Sequence, residues 1–355
     1  AIMSATMLMN GLVVDSVLWI VLRAVTGFCL AGCYMVAESW LNERVTNEMR
    51  GTMFSIYAMT TMVAMMGGQY LLVVADPTKE TLFMIGAILY ALAVVPTAVS
   101  KAQSPAPLTN VNLELPALFK NSPASFIGAI LCGIISSAWT NFGPVFGQQS
   151  SMSNAGIATL LAAAMMGSIL FQYPLGKLSD LIDRRYAMAI AGMVGIVTGT
   201  IMTSLAQSGV YGWAFYVAVV AYGGVIYSIY SLVVAHANDY ADSGDFVKVS
   251  SGLLILYGFG TMAGPLLTAQ MMDTFGPSGV FTTTTIAHVL FASYAIYRTF
   301  RRQRREEDDR TDFKTVGMAR TQTPETYNLH PMSDETFYLE DEEDMPPMPP
   351  PVRVD

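Results

Sequence analysis

Arg23 and Glu38 are the residues with the most chemistry to offer, because both sit inside one long apolar run. If that run crosses a bilayer, an ionisable side chain at its centre costs about 2.5–3.5 kcal/mol on insertion scales. Such groups therefore face a partner or a water-filled cavity. Arg23 lies about seven residues inside its run, too deep to reach water unaided. Glu38 lies near the opposite end. Fifteen residues separate them, about 22 Å along an α-helix, so they cannot pair with each other. For Arg23 two readings stand: a group that couples or gates an ion movement, or half of a structural ion pair between helices. For Glu38 the rival to a coupling role is a side chain that snorkels to the interface, or bonds backbone at a helix end beside Trp40. His236, just before Asn238 and Asp239, is of the type that titrates near neutral pH; a satisfied interfacial histidine is the alternative.

The densest cluster of charge is the string Gly176-Lys177-Leu178-Ser179-Asp180-Leu181-Ile182-Asp183-Arg184-Arg185. Its small first residue permits a close turn at a membrane surface. Asp180 is placed either to cap a helix N-terminus or to pair with Arg184. An ordinary snorkelling basic loop would look similar. The three cysteines, Cys29, Cys33 and Cys132, all fall in apolar stretches with no flanking histidine, which favours packing over a disulfide or metal site.

The elements that position these residues follow from composition. Of 355 residues 53% are hydrophobic and 13% charged, against about a quarter charged in soluble domains. The charge is gathered into short breaks and the last fifty-odd residues, as suits a chain solvated mainly by lipid. Apolar stretches predict a partial span from Ala1 to about Val14, full spans near 17–40, 51–75 and 80–99, and six more near 123–147, 154–175, 186–206, 211–235, 249–273 and 277–299. The basic residues occupy alternate breaks: Arg44 and Arg50; Lys101 and Lys120; Lys177, Arg184 and Arg185; Lys248; then Arg301, Arg302, Arg304 and Arg305, with Lys79 the main exception. That alternation places those breaks, and the tail, in the cytoplasm. From residue 300 onward the chain is charged and then proline-rich, which predicts disorder. No basic, aromatic-interleaved face suits nucleic acid. The chain opens on Ala1 inside an apolar run, from which an incomplete N-terminus is expected.

The 176–185 string resembles the G-x-L-(A/S)-D-x-x-G-R-(R/K) signature of the major facilitator superfamily, with Leu181 replacing the usual arginine and Asp183 the second glycine. In that family the motif recurs between helices eight and nine. The spans that follow would then be nine to twelve, and the earlier ones the end of three and four to seven. Arg23-Ala24-Val25-Thr26-Gly27 resembles the family's R-x-x-x-G on helix four. Gly260-Thr261-Met262-Ala263-Gly264-Pro265 resembles its G-x-x-x-G-P, here on helix eleven. AESWLNER at 37–44, KNSPASFIGAILCGI at 120–134 and AHANDYADSGDFVKVSSGLLILYGFG at 235–260 are similar to the YcaD-like branch.

The resemblance implies an all-α integral membrane fold of two pseudo-symmetric helical halves. Residues 1–99 would be the remainder of the first, 100–121 a cytoplasmic linker, 122–299 the six-helix second half and 300–355 a cytoplasmic tail. It implies secondary active transport of a small solute by alternating access, with proton coupling as an option, in the bacterial inner membrane. The protein is expected to act as a monomer without cofactor or metal. Coupling or gating would involve Arg23, Glu38, His236, Asp180, Arg184, Gly264 and Pro265; the family's helix-four arginine has been linked to proton coupling. Helices that line the family's cavity carry Asn141, Gln172, Tyr173, Trp139, Tyr57, Tyr227, Tyr230 and Tyr257. Asn141 and Gln172 need partners or water, whereas the rings also pack between helices. A transport-inactive scaffold or sensor is the alternative function. An intramembrane enzyme lacks support, since neither HExxH nor GxSxG occurs.

Overall fold

The computed structural model describes residues 1–44, 50–99, 115–241 and 246–301. The described chain is helical throughout: α1 (Ile2–Leu12), α2 (Ser16–Arg44), α3 (Arg50–Gln69), α4 (Leu71–Val74), α5 (Thr81–Val99), α6 (Leu115–Asn121), α7 (Pro123–Gln149), α8 (Asn154–Leu181), α9 (Arg184–Gln207), α10 (Trp213–Asn238), α11 (Phe246–Phe275) and α12 (Gly279–Arg301), with a 3-10 turn at Gly276–Ser278 before α12. Among the described residues, seven apolar stretches are long enough to cross a membrane. One of them, the 54-residue Lys248–Arg301, contains both α11 and α12; α5 contributes a shorter apolar helix over Thr81–Pro96.

The all-helical membrane fold agrees with the sequence. Two local features differ from it. The stretch expected as one span at 51–75 is divided, because the helix gives way at Tyr70 after Gly67-Gly68, the poorest helix formers in the run. The segment expected as a plain linker carries α6, whose Leu118 is buried against α11 at Gly252. The rest of the linker, residues 100–114, and the tail, residues 302–355, lie outside the described residues.

Helices α7 to α12 form one bundle. α7 packs on α11, α12 and α10; α8 packs on α10; α9 packs on α12 and α10. Lipid tails are as apolar as leucine, so burying apolar surface gives these helices little reason to associate, and close backbone approach does the work instead. A β-carbon at Gly133 of α7 would lie 2.1 Å from the carbonyl oxygen of Tyr257, and one at Gly260 2.1 Å from that of Ile130. On α8, Gly167 stands in the same relation to Val220 of α10, at 1.9 Å. Between α9 and α12, Gly195 accommodates the His288 ring and Gly199 the Thr285 hydroxyl. Polar links add register: Ser125 donates to the Val233 carbonyl at 2.8 Å, and Tyr222 shares a 2.6 Å hydrogen bond with Thr284.

The N-terminal helices pack more sparsely. α1 meets α5 and α2, and α3 and α4 lean on α8, with Met62, Met65 and Met66 reaching the bundle core. Ser4 donates to the Ala87 carbonyl at 2.8 Å, Thr26 to Thr6 at 3.0 Å, and the Cys33 sulfur sits 3.8 Å from that of Met3. Cys33 is exposed, whereas Cys132, next to Gly133, is buried.

Candidate functional site

Glu38 is fully buried near the end of α2, and its Oε1 accepts a hydrogen bond from the Tyr57 hydroxyl of α3 at 2.8 Å. Glu38 thus does not snorkel to the interface. It is held inside the protein by a phenol from the neighbouring helix.

Arg23 has a different setting. It is exposed on α2, and its guanidinium lies 5.4 Å from the centroid of the Trp19 ring, one turn earlier. Trp19 is fixed by donating Nε1–H to the Val13 carbonyl at 2.8 Å and by an edge contact with Phe83 of α5. The stack is a cation–π contact. Among the described residues Arg23 makes no ion pair.

The 176–185 string forms the end of α8, a two-residue break and the start of α9. Arg184 and Arg185 occupy the first turn of α9, where the helix dipole disfavours positive charge. Each is matched by a carboxylate. Arg184 is almost wholly buried. Its Nε lies 2.7 Å from Oδ2 of Asp239, just past α10, and its Nη1 reaches Ser179 at 3.2 Å and half-exposed Asp180 at 3.4 Å. Arg185 donates Nη2 and Nε to Asp183 at 2.6 and 3.0 Å, and Nη1 to the Arg298 carbonyl of α12 at 2.8 Å.

Of the two roles open to Asp180, the structure has the pairing with Arg184, and α9 is capped by Asp183, whose Oδ1 accepts from the Arg185 amide at 2.9 Å. The residue that replaces the signature's second glycine thus both caps α9 and grips Arg185. Burial alone would raise the Asp183 pKa. The hydrogen bonds and positive charge of Arg185 outweigh it and hold the carboxyl below its ordinary value. His236 is buried, stacks edge-on with Tyr240 at 5.2 Å, and lies close enough to Asp183 to contribute to that lowering. Asp239 lies 55 positions beyond Arg184, and no local spacing in the sequence pointed to it.

The remaining candidates divide by exposure. Asn141 and Tyr173 are exposed, and Gln172 is buried on α8. Tyr227, Tyr230 and Tyr257 are buried, with Tyr230 of α10 and Tyr257 of α11 in edge contact at 5.2 Å. Trp139 points inward. It is fully buried against Tyr222 and Phe281, with ring centroids at 5.3 and 6.1 Å, so its ring belongs to the interior of the α7–α12 bundle. Gly264 faces Ile134 and Ser137 of α7 at backbone-contact range, and Pro265 lies within the single continuous helix α11. Among the described residues no group of three His, Cys, Asp or Glu is placed to hold a metal.

Comparison with known proteins bears on this arrangement. The sequence matches the family profile described as Major Facilitator Superfamily over residues 1–237 and again over 125–325. It is 25% identical over 275 residues to the "Uncharacterized MFS-type transporter YcaD" of Escherichia coli O139:H28 (strain E24377A / ETEC), covering 76% of this chain and 70% of that protein, and equally to the protein so named in Shigella sonnei (strain Ss046). The counterpart in Escherichia coli O6:K15:H31 (strain 536 / UPEC) is 24% identical over the same length. No solved structure matches. With the family profile covering most of its length and the relatives all transporters by name, the chain belongs to the Major Facilitator Superfamily, YcaD-like in type, and is a multi-pass membrane transporter rather than an enzyme.

Proposed function

We propose that this protein is a proton-coupled secondary transporter of a small solute, working by alternating access as a monomer in a bacterial inner membrane. The observation that carries the coupling is the buried Glu38–Tyr57 pair. Outside the end regions, the membrane segments of the second half contain no Asp, Glu, Lys or Arg: none occurs in 123–176, 186–235 or 249–272. Among the residues of this chain, charge handled at membrane depth therefore falls to α2, with Glu38 as the proton carrier and Arg23 as a fixed positive charge that meets an anionic solute. The neutral groups of the second half, Asn141, Gln172 and Tyr173 foremost, would contact the uncharged body of the solute.

Access would alternate by relative motion of residues 1–99 and 122–299 across the 100–121 linker. The Arg184–Asp239 pair, supported by Asp180 and with His236 alongside, forms a latch at one end of the second half. The lysines and arginines of that end support a cytoplasmic side for it and for the tail that follows α12. The close seam at Gly264 and Pro265 keeps α11 moving with α7.

The test is proteoliposomes loaded with a pH-sensitive dye and challenged with a solute panel. Wild-type protein should acidify or alkalinise the lumen with at least one solute. Glu38→Gln should keep counterflow of that solute but lose the pH signal, and Arg23→Ala should lose coupled flux with expression intact. A Glu38→Gln protein that still moves protons with solute would refute the coupling assignment. Absence of flux with every solute tried would favour a transport-inactive scaffold.

A further inference from the structure

Two small adjoining cavities open at the end of the α7–α12 bundle that carries the Arg184–Asp239 pair. One, of about 50 Å³, is lined by residues that include Leu118, Asn121, Ser122, Tyr240, Lys248 and Gly252. The other, of about 10 Å³, shares Asn121, Ser122 and Tyr240 and adds Arg185, His236 and Arg298. Together they join the ends of α6, α7, α10, α11 and α12. The larger one has room for about four water-sized atoms, the number of oxygens in one phosphate group.

We propose that this double cavity binds the phosphate of an anionic phospholipid headgroup. The carboxylates of Asp183 and Asp239 are already committed to Arg185 and Arg184. The Arg298 guanidinium, by contrast, has no ion-pair partner among the described residues. It is the main-chain carbonyl of Arg298 that Arg185 engages. Lys248 brings a second positive charge to the rim, and the neutral polar residues Asn121 and Tyr240 line both cavities.

Exposed aromatics stand close in sequence to the lining residues, Phe119 on α6, Tyr186 on α9, and Tyr297 and Phe300 on α12, with Phe300 82% exposed. Arg301 lies over Tyr297, 5.6 Å from the ring centroid, and donates Nε–H to its hydroxyl at 2.9 Å. Exposed aromatics interleaved with cations mark the headgroup level of a bilayer, and basic pockets between helices on the cytoplasmic side suit phosphate headgroups. The acidic run at 340–344 of the tail is the competing anion, but carboxylates from a tail would not call for an aromatic girdle.

The full chain, delipidated in mild detergent, is offered phosphatidylglycerol or phosphatidylcholine of matched acyl chains, and retention is read by native mass spectrometry. Phosphatidylglycerol should be retained preferentially. Removing one cation should cut that preference about fivefold. The double variant Arg298→Gln/Lys248→Gln should abolish it, and Arg298→Lys should keep most of it. Monodispersity on size exclusion confirms that each variant is folded. Equal retention of the two lipids by wild-type protein, or an unchanged preference in the double variant, would overturn the site. Displacement of the lipid by millimolar inorganic phosphate would overturn the lipid assignment in favour of a free anion. A preference that emerges only after truncation at Arg301 would overturn it in favour of the tail.

Discussion

The glycines of the two halves do opposite things. In α7–α12, Gly133, Gly167, Gly223 and Gly260 each face a neighbouring main chain so closely that a β-carbon would fall within about 2.2 Å of it. In α2 and α3, Gly27, Gly32, Gly67 and Gly68 have nothing within 4 Å. Charge is distributed the other way. The interior segments of the second half are free of Asp, Glu, Lys and Arg, whereas α2 alone holds Arg23 and Glu38. One half is organised by backbone contact and carries its ions at its end; the other is loosely packed and carries its ions within. A transporter needs both a body that keeps its shape and a site whose charge can change, and the proposed proton carrier Glu38 would put the two requirements on different helices.

The sharpest way to break this contrast is to add side chains at the glycines. Gly167→Val and Gly133→Val should eliminate most folded protein, measured as the monodisperse fraction on fluorescence size exclusion, because main chains would have to separate. Gly27→Ala and Gly32→Ala should leave that fraction unchanged. Parity between the two sets would remove the distinction.

Next in size is the buried ion pair. Arg184→Ala should cost about 3–5 kcal/mol by leaving Asp239 buried without its partner. Arg184→Met combined with Asp239→Leu should cost much less than the sum of the single changes, as thermal denaturation in detergent would record. Strict additivity would mean that the two residues do not act as a pair.

A smaller effect concerns Asp183. Its folded pKa lies below the unfolded value, so its contribution to stability is fully present above about pH 4 and lost as pH falls through the depressed value. The melting temperature should therefore hold from neutral pH to about 5 and then decline more steeply in wild-type protein than in Asp183→Asn. Coincident profiles would show that the carboxylate contributes nothing.

Smallest is Ser151, which follows α7 with φ of +56° where a glycine would be unstrained. The Met152 amide closes that turn on the Gly147 carbonyl at 2.9 Å. Ser151→Gly should raise stability by no more than about 1 kcal/mol, seen as a small rise in the melting temperature.

Much of this was legible in the sequence because a membrane imposes long apolar runs and a biased placement of lysine and arginine, and both can be read without contacts. The breaks around the 176–185 string and the helices α7 to α12 fall where those rules put them. What escaped was partnership across helices. Asp239 is far along the chain from Arg184. Nothing in the spacing of Tyr57 joins it to Glu38. Which face of α7 carries Trp139 inward depends on neighbours such as Tyr222 and Phe281, which the sequence does not place. In the sequence Asp183 is a departure from a signature glycine, and only the path of α9 shows that a cap is gained in exchange.

The cysteines give the two halves separate reporters. Cys33 is open to a water-soluble maleimide wherever water reaches α2, whereas Cys132 is buried in the core of the α7–α12 bundle. Its modification would mark the opening of that core. The native thiols can therefore time the loosening of each half in one labelling course, with no residue introduced for the purpose.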